Sequence, residues 1–159
     1  MRLVIESISP AVFAPYGTVV RAPADIGRSA FYDALSSTRP DARPTLSTSR
    51  SLPRSLPLTC TVMERHRYSS QTFFPLDVAR YVVIVAPHGA PGRPDMVRAR
   101  AFVVPGDTAI TYAADSWHHP VIALDWPACF SVLMWRDGTP DDMETVTLDE
   151  PLELTEAPQ

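Results

Sequence analysis

Lysine is absent from this chain: all 14 basic residues are arginine. That excludes Schiff-base activation of a carbonyl substrate by an internal lysine. Glycine is scarce, at six, and cysteine scarcer, at two. Cys60 and Cys129 lie in apolar, strand-like surroundings, too few for a disulfide framework and wrongly spaced for a metal pair. They read as small buried hydrophobes in a reducing cytosol. No apolar run is long enough to span a bilayer, and Met1 to Glu6 lacks the apolar core of a signal peptide, so a cytoplasmic protein is expected. There is no basic run, and the formal net charge is −4. Neither nucleic acid nor a membrane surface is therefore an expected partner. No window sustains a 3.6-residue apolar period, and seventeen prolines argue against long helices.

What remains is β. Expected strands cover Leu3 to Ser7, Gly17 to Arg21, Leu58 to His66, Thr72 to Phe74 and Tyr81 to Ala86. Further strands are expected at Ala101 to Val104, Thr108 to Tyr112, His118 to Leu124, Phe130 to Trp135 and Val146 to Leu148. Weak helical signals occur only at Ser9 to Tyr16 and Pro75 to Ala79. Short, regularly spaced strands with Gly- and Pro-bearing turns describe an all-β antiparallel barrel or sandwich with a few short helices. With 159 residues the chain is expected to form one domain, 1–159. The stretch 22–57, rich in Pro, Ser and Arg, reads as an extended, partly mobile excursion that covers a barrel mouth or reaches a partner subunit.

Three of the four histidines fall in Glu64-Arg65-His66 and Trp117-His118-His119-Pro120. Imidazole exchanges protons near neutral pH and is the commonest metal ligand, so histidines on strands suggest a chemical pocket. Residues i and i+2 of a strand share a face, so Glu64 and His66 point together. Arg65 then faces away, as a surface or interface residue. His118 and His119 alternate, and His118 is favoured as the inward one. His88 sits in a Pro-Gly-rich turn and should be solvated; Arg100, beside Phe102, should be structural.

Glu64-x-His66-x4-Gln71 occupies the frame in which metal-binding cupin barrels carry His-x-His-x4-Glu, and a second block runs from Gly106 to His118. Read in order, the words Phe13-Ala14-Pro15-Tyr16-Gly17, Met63-Glu64-Arg65-His66, Ser70-Gln71-Thr72-Phe73 and Trp117-His118-His119-Pro120 resemble the ureidoglycolate lyase family. The resemblance implies a cupin-like fold, usually homodimeric, that splits ureidoglycolate into glyoxylate and urea in allantoin and purine catabolism. Such chemistry needs a proton acceptor for the α-hydroxyl, a proton donor for the departing nitrogen and a cation for the carboxylate. His66 and His118 are the expected proton carriers, with Glu64 orienting them. Gln71, Tyr112, Arg136 and Trp117 are expected to bind the substrate, Arg136 through its carboxylate. Glu64, His66, Gln71 and His118 would form a ligand set for nickel, manganese or zinc, although glutamine is a poor ligand for these ions.

The chain departs from the family pattern in three places. Ala113 follows Tyr112 where the family commonly has histidine, and Trp135 stands where it commonly has aspartate. The asparagine-rich word of the N-terminal third is not recognisable in Phe31 to Leu35. These departures leave two alternatives: a small-carboxylate-binding protein of the same fold, or a metal-dependent cupin enzyme of other specificity.

Overall fold

A computed structural model describes residues 1–156. Twelve strands form two sheets: β1 (Arg2–Ser7), β2 (Gly17–Val20), β3 (Arg43–Ser51), β4 (Leu58–His66), β5 (Gln71–Asp77), β6 (Arg80–Ala86), β7 (Arg100–Pro105), β8 (Ala109–Tyr112), β9 (Trp117–His118), β10 (Ile122–Leu124), β11 (Ala128–Arg136) and β12 (Met143–Thr155). The single α-helix among the described residues, α1 (Pro10–Phe13), begins with proline in its first turn and is capped by Ser9, whose Oγ accepts from the Val12 amide. A single turn of 3₁₀-helix covers Met96–Arg98. No helix among the described residues is long and apolar enough to cross a membrane.

The larger sheet runs β10-β6-β7-β1-β12-β4-β9, and a further pairing of β9 with β6 closes six of its strands into a ring. The second sheet runs β2-β8-β5-β11-β3. The cupin-like, nearly all-β architecture agrees with the strand pattern, with one correction. The barrel is mixed, because β1 pairs in parallel with both β12 and β7.

Two apolar clusters divide the interior. One draws Tyr81, Val83 and Val85 of β6, together with Phe73, Ile110, Tyr112, Phe130 and Val132 from the second sheet, and so lies between the sheets. The other takes the alternate β6 residues Val82, Ile84 and Ala86, with Met63, Trp117, Leu152 and Leu154, on the opposite face. The two-residue period of the β-branched run in β6 thus feeds both clusters. Close packing of β2 on β8 requires glycine at 17: a Cβ there would lie 1.9 Å from the Thr111 carbonyl oxygen.

Three expectations need correction. Pro75 to Ala79 is not helical; β5 continues to Asp77, with Pro75 beside the irregularity where the pairing with β11 shifts register between Cys129 and Phe130. A proline is tolerated there because a shifted register leaves its missing donor unneeded. His118 to Leu124 is not one strand. Pro120 cannot donate to a ladder, and the segment breaks into β9 and β10. The stretch 22–57 is more than an excursion, since β3 pairs along its whole length with β11, from Arg43 opposite Arg136 to Ser51 opposite Ala128.

Candidate functional site

Strand β4 carries Glu64 and His66 on one face and Met63 and Arg65 on the other. Strand β9 lies beside it in a register that sets Glu64 opposite His118, and His118 is also opposite Val85 of β6. Val85 belongs to the cluster between the sheets, so His118 points toward the second sheet. There its ring stacks on Tyr112 of β8, with centroids 4.0 Å apart and planes 12° apart. The His66 ring lies 5.8 Å from that of His118. Glu64, His66 and His118 present ligand atoms that all fall within 4.8 Å of one another. The second sheet supplies Gln71, directly opposite Tyr112 and Met134. The site therefore forms where the two sheets meet.

Hydrogen bonding decides which nitrogens are available. His118 Nδ1 lies 2.8 Å from the Ser116 carbonyl oxygen, which can only accept, so Nδ1 carries the proton. Nε2 is left with a lone pair, buried without a hydrogen-bond partner and 3.5 Å from Glu64 Oε1. His66 Nδ1 lies 3.3 Å from Asp142 Oδ2, close enough for charge attraction without hydrogen-bond alignment. Asp142 is itself buried and fixed, accepting from the Tyr68 amide at 2.9 Å and from Ser69 Oγ at 2.5 Å. Gln71 Oε1 and Tyr112 OH are likewise buried and unpartnered. Buried polar atoms without partners are rare in folded proteins, and several gathered together point to a site built for a ligand.

Burial sets the charge states, with one exception. Desolvation, reinforced by His118, holds the His66 imidazole below its ordinary pKa against the pull of Asp142 and Glu64. Desolvation also lowers His119 and raises the Tyr112 hydroxyl well above its ordinary value. Glu64 is the exception: burial would raise it, but the His118 ring 3.5 Å away, with His66 and His119 behind it, holds it low. At neutral pH the site thus holds a carboxylate, an uncharged His66 ring and an intact phenol. Side-chain exposure falls from 19% at Glu64 to 5% at His66 and 2% at His118, so the opening lies on the Glu64 side.

Arg136 ends β11 on the same alternation as Met134 and Val132, with Nη2 3.4 Å from Met134 Sδ. No carboxylate pairs with it among the described residues. His119 turns out of the cluster, its Nδ1 2.6 Å from the Pro120 carbonyl oxygen. His88 is exposed, and Arg100 pairs with Glu6 and lies over Phe102. Trp117 is not gathered with the imidazoles. It sits opposite Ala86 and belongs to the other apolar cluster, where alternation along β9 must put it.

Arg65 is not a surface residue. Its side chain is 10% exposed, lies 4.5 Å over the Trp117 ring and pairs with Glu144 and Asp115. The sequence reading missed Asp142 as well. An acidic pair, Asp141-Asp142, stands in the turn before β12, but only the folded chain brings it beside His66. A cleft of about 630 Å³ beside Met1, Arg93 and Asp149 holds none of these groups. The chemistry belongs with the imidazoles, where four buried polar atoms without partners gather: His66 Nδ1, His118 Nε2, Gln71 Oε1 and Tyr112 OH.

A metal ion would fit this donor set. Two imidazoles with Nδ1 turned to fixed acceptors leave Nε2 available beside a carboxylate, an N/O combination suited to divalent transition ions with the usual outer support.

Residues 1–155 match the family model described as ureidoglycolate lyase. A protein of Burkholderia mallei (strain NCTC 10229) named ureidoglycolate lyase is 36% identical over 163 residues, covering 97% of this chain and 94% of the relative. One from Burkholderia cepacia with the same name is 36% identical over 155 residues, covering 91% and 85%. A third, from Rhizobium etli (strain CIAT 652), is 33% identical over 163 residues, covering 96% and 95%.

Proposed function

The chain belongs to the ureidoglycolate lyase family, and on that premise we propose that it cleaves ureidoglycolate to glyoxylate and urea at the junction of its two sheets. The observation that carries this reading is the convergence of two imidazoles from separate strands on one buried carboxylate.

The substrate bears its hydroxyl and its urea nitrogen on the same carbon. His118 Nε2 takes the hydroxyl proton, the oxygen's electrons form the carbonyl of glyoxylate, and the carbon–nitrogen bond breaks. Because the two substituents are geminal, the same imidazolium lies within reach of the departing nitrogen and returns the proton to give urea. Proton transfer by a positioned imidazole is worth about 10²–10⁴ in rate. Glu64 stabilises the transient imidazolium across 3.5 Å. His66, held uncharged and backed by Asp142, accepts a hydrogen bond from the substrate. The Tyr112 hydroxyl, kept protonated by burial, donates to the substrate, and Gln71 Oε1 accepts from the urea N–H. Arg136 binds the carboxylate, preferably through both guanidinium nitrogens.

A nickel, manganese or zinc ion held by Glu64, His66 and His118, with Gln71 nearby, would act as a Lewis acid on the substrate hydroxyl. In that case His118 is a ligand and not a base, so the metal content of active protein separates the two roles. The protein is further read as one domain, 1–159, working as a cytoplasmic homodimer in allantoin and purine catabolism, on a small carboxylate and without nucleic acid or membrane partners. Ureidoglycolate incubated with chelator-treated protein, with and without nickel, manganese or zinc, should release glyoxylate and urea faster than it decomposes spontaneously. No excess rate in any arm overturns the reading.

A further inference from the structure

The reverse face of β4 carries a network that the chemistry above does not use. Arg65 donates from Nε and Nη2 to Glu144 Oε2, at 2.9 and 2.7 Å, and from Nη1 to Asp115 Oδ1 at 2.9 Å. His88 completes the ring, its Nδ1 facing Arg65 Nη1 at 3.4 Å and its Nε2 facing Asp115 Oδ2 at 3.4 Å. Glu144 lies opposite Arg65 in the β12–β4 pairing, so the guanidinium is anchored to two strands before it reaches Asp115.

Asp115 is no ordinary loop residue. Its φ is +66°, a left-handed conformation that an L side chain adopts only at some cost. Its amide donates to the His66 carbonyl at 2.6 Å. The next residue, Ser116, offers the carbonyl that accepts from His118 Nδ1, while its hydroxyl donates to the Tyr16 carbonyl at 3.0 Å. One turn therefore touches the backbone of one imidazole-bearing residue and the ring of the other, and a single buried guanidinium pins that turn from behind.

We propose that Arg65 is a positioning residue: through Asp115 it fixes the turn whose Ser116 carbonyl keeps His118 in the Nδ1–H tautomer, with Nε2 free for chemistry. The catalytic part of this claim rests on the lyase reading; the tautomer part does not. Lysine at 65 keeps the charge but cannot span Glu144 and Asp115 while lying flat on Trp117. Asparagine at 115 tolerates the left-handed backbone but lacks the charge that holds Arg65.

The test is ring ¹⁵N spectroscopy of histidine-labelled protein at pH 8, with steady-state kinetics on the same samples. In the wild type His118 should show the Nδ1–H tautomer alone. In Arg65→Lys and Asp115→Asn an Nε2–H population of about a tenth or more should appear. With it kcat should fall about 10–100-fold, the usual effect of losing a group that orients an active imidazole, while KM stays within about twofold. If Arg65→Lys does not fold, Asp115→Asn decides alone. An unchanged His118 tautomer in the folded variants overturns the proposal, as does a loss expressed in KM. Absence of wild-type turnover sinks the lyase reading instead and leaves the tautomer result to stand by itself.

Discussion

The two faces of β4 differ in how completely their polar groups are paired. On one, Arg65 spends its donors on Glu144 and Asp115 and rests on Trp117, whose Nε1 is the one atom of this group left without a partner. On the other, His118 Nε2 and, in the second sheet, Gln71 Oε1 and Tyr112 OH are buried and unpartnered. A satisfied buried network rigidifies; an unsatisfied one costs stability and persists where function needs it. The difference teaches that adjacent residues of one strand can divide support from chemistry, because alternation sends them to opposite sides of the sheet.

That contrast can be broken most sharply at His118. His118→Ala should lower kcat by about 10²–10⁴-fold in assays of glyoxylate release, with an unchanged circular-dichroism spectrum, since the ring's free nitrogen is used in proton transfer or ligation. A folded variant retaining wild-type turnover would erase the distinction between the faces. Asp142→Asn comes next. It keeps the shape but removes the charge facing His66, and should cost about 10–100-fold in kcat/KM.

A pH series sharpens the same comparison. His66 is held below its ordinary pKa of 6.5, chiefly by burial. Between that lowered value and 6.5 the unfolded chain binds more protons than the native one, so stability rises with pH across this window and is lost as pH falls through it. Glu64, held below its ordinary 4.5, adds stability that is present above 4.5 and lost as pH falls through its lowered pKa. Urea midpoints should therefore be lower at pH 5 than at pH 7. The smallest effect belongs to His88→Ala, which should change kcat by no more than about twofold. Its ring is exposed, and Arg65 keeps both carboxylates without it.

How much of this was legible in the chain depends on the range of each cause. The face shared by Glu64 and His66 followed from the strand period, which also required that only one of His118 and His119 point inward, without deciding which. The polar run Arg43–Ser51 has no apolar alternation to betray it. It is a strand because β11 offers a full partner, and an edge position tolerates Pro44. Alternation turns Arg65 away from Glu64 and so suggests a surface or interface residue; its burial was not legible, because its partners stand 50 and 79 positions away. No local pattern announces such pairs.

By itself the sequence determined the β character, most strand positions and the family words at Glu64-Arg65-His66 and Trp117-His118-His119-Pro120, because side-chain alternation, proline punctuation and motif order are local properties. Only the tertiary structure decided that Asp142 backs His66, that Ser116 sets the His118 tautomer and that Arg65 is buried under load. Those are contacts between segments remote in the chain, and they exist only where the two sheets and their connecting turns have already closed around the same few ångströms.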